Sequence, residues 1–276
     1  MIPEIIFIVP YRDREIQRHF FSQYMNYIME DYDPDSYEIY FAHQKDNREF
    51  NRGGVKNIGF LAMKEKYPDN YKNITFVFND VDTVPFKKNF LNFKTTTGKI
   101  KHFYGFKFCL GGIVSVTGED FEKMNGYPNY WGWGFEDNTL QKRADFNKIS
   151  IDRSQYYDIG DLHILQLFDS VYRKIGVQNR INSVVDNNLD GLRSLKNLSF
   201  EINDNFIHIN SFNGVYDFNE NNTAVLDLKT REIVNNKQNK KMGMMINSNN
   251  NAIARKSFGN YKLNIGAGKR RNFKLF

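Results

Sequence analysis

Apolar runs of strand length alternate with helical stripes through the first two hundred residues. Ile5-Ile6-Phe7-Ile8-Val9 is continuously apolar, so Glu4–Val9 reads as a first strand buried on both faces. Between Ile16 and Met29, apolar side chains at 16, 20, 21, 24, 25 and 28 trace one face of a helix. Tyr37–Ala42 predicts a second strand, and Asn51–Lys66 a helix with Val55, Ile58, Leu61 and Ala62 inward. Ile74–Phe78 is β-branched and aromatic, a further strand in a segment that Pro85 closes. Ile113–Val116 predicts another, and Thr117 with Asp120 resembles a capping box for a short helix to Met124. Strand and helix in alternation predict an α/β domain.

At 276 residues the chain has room for one domain of about 200 residues and an appendage. Charge marks the division. From Lys229 to the end there are twelve Lys and Arg against the single acid Glu232, so this segment carries +11 and the rest −5. A domain over 1–214 and a basic appendage over 215–276 are therefore expected. Asn235–Asn251 is Asn-rich, while Val215–Phe218, Thr223–Leu228 and Tyr261–Ile265 resemble short strands, so the appendage reads as β-rich. It either docks on the acidic domain or meets an anionic surface or glycan. No nucleic-acid motif is visible, and specific nucleic-acid binding is not expected.

Two motifs carry candidate chemistry. Ile74–Phe78 delivers Asp80-Val81-Asp82 to the C-terminal edge of a sheet, where open α/β sheets bind ligands. Alternating side-chain directions point both carboxylates one way. Such a pair suits Mn²⁺ or Mg²⁺ holding a diphosphate, although a solvated strand end also explains it. Trp131-Gly132-Trp133-Gly134-Phe135-Glu136-Asp137 holds both tryptophans of the chain. Indole faces stack on sugar rings, and an adjacent carboxylate can take a proton from a hydroxyl. The bland alternative is a buried aromatic turn with a solvated acidic pair.

With these motifs the chain resembles the β-1,4-galactosyltransferases and the related xyloside galactosyltransferases, inverting enzymes of the GT-A fold. The resemblance runs in order through most of residues 4–200. Ile5–Pro10 with Tyr11-Arg12-Asp13-Arg14 resembles the family's opening strand and Arg-rich loop, and Phe50-Asn51-Arg52 its helix start. Asp80-Val81-Asp82 matches the metal motif. Gly111-Gly112-Ile113, Asn125–Gly134 and Glu136-Asp137 match the sugar and acceptor site.

The resemblance implies a GT-A (Rossmann-like) domain, a UDP-sugar donor, a saccharide or glycoconjugate acceptor and Mn²⁺ or Mg²⁺. It assigns nucleotide-sugar contacts to Arg12, Arg14, Phe50, Arg52, Asp80, Val81, Cys109, Gly111, Gly112, Trp133 and Glu136. Acceptor contacts fall to Tyr130, Trp133, Glu136 and Asp137, with Asp137 as the catalytic base. Asp82 is the expected metal ligand, joined by His163 and Asp161, where the family carries a metal-binding His. Three departures stand out. Asn138-Thr139 follow Asp137 where relatives have further acids, and the phosphate-binding Lys of the Tyr104 loop is replaced by His102 or Phe103. Cys109 stands where galactose users have Tyr, which opens room beside the sugar's C2 and makes N-acetylgalactosamine plausible beside galactose.

Two competing readings remain open: a retaining transferase of the polypeptide N-acetylgalactosaminyl type, with a similar Trp-Gly-Gly-Glu loop, and a carbohydrate-binding protein without turnover. Asp-x-Asp rather than Asp-x-His opposes the first, and the intact Asp82 and Asp137 oppose the second. A single Cys109, no run of 18 apolar residues and no signal-peptide pattern at Met1-Ile2-Pro3-Glu4 make the cytoplasm the expected compartment.

Overall fold

Alternate residues of the first strand supply two separate cores. In the computed structural model, which describes residues 1–168 and 170–234, β1 spans Ile5–Tyr11 and is buried throughout. Ile6 and Ile8 pack with Val55, Ile58 and Ala62 of helix α2, Arg52–Lys66. Ile5, Phe7 and Val9 pack with Phe21 and Met25 of helix α1, Glu15–Ile28. This two-faced burial is what a central strand between helical layers requires.

The remaining elements in chain order are β2 (Tyr37–Gln44), β3 (Thr75–Asn79), β4 (Thr83–Pro85), β5 (Lys99–Gly105), β6 (Ile113–Thr117) and α3 (Gly118–Lys123). They continue with α4 (Glu136–Phe146), β7 (Ser150–Asp152), β8 (Tyr157–Asp158), β9 (Ile164–Gln166), β10 (Tyr172–Gly176), α5 (Asn179–Val184), β11 (Lys196–Asn203), β12 (Phe206–Asn213) and β13 (Thr223–Asp227). The main sheet runs β11-β12-β2-β1-β3-β6-β5-β7, with β8 also on β5. β12, β2, β1 and β3 are parallel, and β6 is antiparallel to both β3 and β5. The sheet is thus mixed. The parallel strands β1 and β3 end together at Tyr11 and Asn79, which sets Arg12, Arg14, Asp80 and Asp82 along one edge.

Both expected helices form, with one shift of face. Ile16 is 81% exposed whereas Gln17 is buried, because the packed stripe of α1 is Gln17, Phe21, Met25 and Ile28. Thr117 caps α3 as expected, its hydroxyl accepting from the Asp120 N–H at 3.3 Å.

One compact unit runs from Met1 to Glu232, so residues 215–232, grouped by composition with the appendage, pack with the domain. Trp131 Nε1 donates to the Tyr216 carbonyl at 2.8 Å, and Phe218 packs edge-on against Trp131. Val215–Phe218 is therefore a loop bound to the tryptophan segment rather than a strand. Thr223–Asp227 is a strand, antiparallel to β10. The Asn-rich stretch and Tyr261–Ile265 lie outside the described residues. No helix among the described residues is long and apolar enough to cross a membrane.

A buried amide network holds the segment before α4 against α2. Asn51 caps α2 through the Gly54 N–H (2.8 Å), and its amide donates to the Asn129 carbonyl at 2.9 Å. Asn57 donates to the Tyr127 carbonyl and to Asn129 Oδ1, and accepts from the Tyr127 N–H. Asp190 accepts from the Asn129 N–H at 2.7 Å and from its side-chain amide at 2.9 Å. A buried donor left without an acceptor carries its full desolvation cost, so Asp190→Ala is expected to destabilise the protein by about 1–3 kcal/mol. Urea unfolding should show a lower midpoint at unchanged slope; an unmoved midpoint would mean that the network does not hold this loop.

Candidate active site

Arg52, the first residue of α2, is the centre of the site. Its Nε donates to Glu136 Oε1 at 2.7 Å, Nη1 to Asp80 Oδ2 at 2.9 Å, and Nη2 to Asp137 Oδ2. Three carboxylates from two separate elements thereby converge on one guanidinium. Burial disfavours its charge, but Asp137, Asp80 and Glu136 together raise its pKa well above the ordinary arginine value.

The glycine-rich turn aims the acids. Gly132 has φ +75°, and a Cβ there would lie 2.7 Å from the Gly176 nitrogen. Trp133 N donates to the Lys174 carbonyl at 2.7 Å, which docks the loop on β10. Phe135 has φ +71°, a left-handed conformation rare for a bulky residue, and α4 begins directly after it. Glu136 and Asp137 therefore occupy the first turn of α4, where the helix dipole favours negative charge. Gly111 leaves the space that Asp137 fills: a Cβ there would meet Asp137 Oδ2 at 2.3 Å. The Leu110 N–H donates to the Asp137 carbonyl at 3.1 Å, so the Gly-Gly segment and α4 are locked together.

Two of the aspartates, Asp137 and Asp82, are hard to ionise. Burial pushes Asp137 up to about 6; Arg52 and Lys56 oppose it, while Glu136 and Asp80 add to it. Burial also pushes Asp82 up to about 6, with Asp80 adding to it and Arg14, Arg52 and Arg173 opposing it. Asp80 Oδ1 and Asp137 Oδ1 are buried without a hydrogen-bond partner.

Other expected residues divide between the site and its support. Arg14 acts on Asp82, as its part in holding down that carboxyl's pKa shows. Arg12 instead braces the loop before α2, donating to the Asp46 carbonyl at 3.5 Å with its guanidinium 5.5 Å from the Phe50 ring. Phe50 accepts from the Gly132 N–H at 3.2 Å, and Val81 is buried. Cys109 is buried too; burial pushes its thiol up, and Asp137 adds to the shift. Gly112, at φ +72°, accepts from the Asp80 N–H and so ties the Asp-x-Asp turn to β6. Of the two indoles only Trp133 is partly exposed; Trp131 is buried and stacked on Phe212 at 5.4 Å. Tyr130 is buried as well, packed edge-on against Tyr216, so it supports the loop from below.

The structure does not bring His163 or Asp161 to Asp82. Leu167 N donates to the Asp82 carbonyl, whereas the His163 carbonyl accepts from Phe86 N. His163 is four residues farther from the turn, roughly 13 Å at the usual strand rise. There it bonds Asp161 at 2.8 Å and stacks on Phe90. The residues level with Asp82 are Gln166 and Leu167, and Gln166 Oε1 accepts from the Tyr104 hydroxyl at 2.6 Å. His102 is no phosphate ligand either. Burial first, and then Arg153, lower it to about 4, and its neutral ring lies 3.1 and 3.2 Å from the Tyr104 and Gly111 carbonyls.

Among the described residues no three His, Cys, Asp or Glu side chains form a metal cage. Two acids, one with an unpartnered buried oxygen, fit a hard cation that keeps waters and shares phosphate oxygens. Sequence reasoning missed Lys56, Arg173 and the exposed stack of Phe106 on Phe108 beside Cys109. A helical spacing of four between Arg52 and Lys56 was the one available signal.

Known proteins place the chain in a family. A model described as the N-terminal region of glycosyl transferase group 7 matches residues 2–93, and one described as the N-terminal domain of galactosyltransferase matches residues 92–166. The chain belongs to this galactosyltransferase family. It is 33% identical over 164 residues to β-1,4-galactosyltransferase 4 of Mus musculus, covering 55% of this chain and 45% of that protein. To the xylosylprotein 4-β-galactosyltransferase of Caenorhabditis elegans it is 32% identical over 155 residues, 53% and 52% of the two chains. The chain thus spans about half the length of these relatives. The crystal structure of the catalytic domain of Drosophila β-1,4-galactosyltransferase 7 with xylobiose superposes with a TM-score of 0.57 at 20% identity, over 78% of this chain and 96% of that one. A mutant of that enzyme with manganese, UDP-Gal and xylobiose gives 0.58 at 19% identity. The family's GT-A fold is therefore the fold of this chain.

Removing Arg52 would strand three carboxylates. Arg52→Met should cost about 3–5 kcal/mol at pH 8, as breaking a buried ion pair does. Asp137 titrates near 6 even with Arg52 lowering it, so in the variant its folded pKa lies higher still, above the unfolded value. The penalty is then fully present above that raised pKa, shrinks as pH falls through it, and is smallest at about pH 6 and below. Urea unfolding at pH 8 and pH 5 tests this; an equal penalty at both would deny that Arg52 acts through charge.

Proposed function

We propose that this protein is a metal-dependent inverting glycosyltransferase that moves galactose or N-acetylgalactosamine from a UDP-sugar to a saccharide acceptor, with Asp137 as base. The observation that carries the reading is the convergence of Asp80, Glu136 and Asp137 on Arg52, with the partly exposed Trp133 three residues before Glu136 in the chain. Membership of the galactosyltransferase family supports the reaction class.

The acceptor hydroxyl would lose its proton to Asp137 as its oxygen bonds the anomeric carbon. The bond from that carbon to the diphosphate oxygen breaks, and its electron pair leaves with UDP. Trp133 offers a ring face for a sugar, and Glu136 a carboxylate for its hydroxyls. Arg14, with Arg173 acting on the same carboxyl, supplies positive charge on the Asp82 side, where the diphosphate would lie. Held by Asp82, a Mn²⁺ or Mg²⁺ ion would neutralise charge on the departing diphosphate.

The experiment is transfer from UDP-galactose and UDP-N-acetylgalactosamine to a panel of saccharide acceptors with Mn²⁺, reading UDP release and the anomer formed by NMR. A β-linked product is expected. An α-linked product would replace the reading with a retaining mechanism, and donor binding without UDP release would replace it with a binding protein. Asp137→Asn should still bind the donor yet transfer at least ~10²-fold more slowly, the usual scale for a lost general base. Transfer within a few-fold of the unsubstituted protein would move the base elsewhere.

Donor choice follows from Cys109, whose small side chain leaves room where a Tyr would project. Cys109→Tyr should shift the ratio of kcat/KM for the two donors toward galactose by roughly ten- to a hundred-fold, the scale of overpacking a formed site. An unchanged ratio would take Cys109 away from the donor sugar.

A further inference from the structure

Lys56 lies one helical turn beyond Arg52, so both side chains leave α2 on the same face. It is 1% exposed, and lysine is almost never buried so fully unless charges meet it. Its Nζ lies 3.7 Å from Asp80 Oδ1, 3.6 Å from Asp137 Oδ1 and 4.6 Å from the centre of the Tyr127 ring.

Two cations divide two carboxylates atom by atom. Arg52 takes the Oδ2 atoms of Asp80 and Asp137 by hydrogen bonds. Lys56 faces the two Oδ1 atoms, and these are the oxygens that have no hydrogen-bond partner. At 3.6–3.7 Å the ammonium attracts through space without donating a short bond, so the lone pairs of Oδ1 stay free. Arg52 lies nearer the surface than Lys56, with 16% of its side chain exposed against 1%. A nucleotide could therefore compete for the guanidinium, while Lys56 remains behind the carboxylates.

We propose that Lys56 is a positioning residue that keeps Asp137 ionised and oriented for transfer, whatever Arg52 does when a nucleotide binds. This rests on the reading of Asp137 as base. The groups acting on Asp137 are Arg52 and Lys56 from α2, Asp80 after β3, Glu136 beside it on α4, Cys109 before β6 and Tyr127 from the loop before α4. Of these groups the two on α2 are the cations, and Lys56 is the more deeply buried of them.

The test is direct titration of the Asp137 carboxyl by ¹³C NMR in the full chain and in Lys56→Met, which keeps the length and removes the charge. Asp137→Asn assigns the signal. The midpoint, about 6 with Lys56 present, should rise by about one pH unit or more, as loss of an opposite charge within 4 Å requires. An unmoved midpoint overturns the proposal. The acid limb of kcat/KM should move upward by the same amount, whereas a merely structural lysine would lower activity evenly at every pH. A midpoint that moves while the limb stays still would leave Lys56 acting on Asp137 and assign the base to another residue. If Lys56→Met does not fold, the same comparison is made between Asp80→Asn and the double variant Asp80→Asn/Lys56→Met, which loses one charge of each sign. An equal midpoint in that pair also overturns the proposal.

Discussion

A buried arginine that must satisfy three carboxylates is the constraint on which the rest of this structure depends. Arg52 reaches Asp80 from the end of β3 and Glu136 and Asp137 from the start of α4. None of these groups could be buried singly, because an unpaired charge in the interior costs several kcal/mol. The cluster therefore requires three elements to meet at fixed distances, which a flexible loop could not guarantee. That is why α2 is capped by Asn51 and the loop before α4 is held by Asn57, Asn129 and Asp190.

Excess acid in this cluster is useful rather than fully compensated. Arg52 faces Asp80, Glu136 and Asp137 and Lys56 faces Asp80 and Asp137, yet burial, with the neighbouring acids adding to it, holds Asp82 and Asp137 above the ordinary carboxylate range. A carboxylate near 6 is a better proton acceptor than one near 4 and remains ionised at neutral pH. The same surplus makes a place for a cation at Asp82. Arg14 and Arg173 bring positive charge to that carboxyl from distant parts of the chain.

Aromatic residues serve two purposes that look identical in the chain. Trp131 stacks on Phe212, with the Arg48 guanidinium over both rings, and ties the loop to β12. Trp133, two residues on, is partly exposed. Gly132 between them, at φ +75°, turns the backbone, so that one ring is buried and the other partly exposed.

By itself the sequence determined the layers, the family resemblance and the order of the candidate site residues. Periodicity is a local property, so β1, β2, β3, α1 and α2 were legible to within a few residues. The order of Asp80, Asp82, Trp133, Glu136 and Asp137 was legible because one backbone segment carries each motif. Tertiary structure decided what depends on meetings between distant segments. It set His163 apart from Asp82 because the pairing of β4 with β9 brings Gln166 and Leu167 level with that carboxylate, a register that no spacing reveals. It buried Tyr130 and Trp131 because residues 212–218 return to cover them. Lys56 looked like any solvated helix position, since what makes a lysine interior is the pair of carboxylates that other segments deliver to it. Burial and charge pairing are sums over the whole fold, and a linear chain shows only their terms.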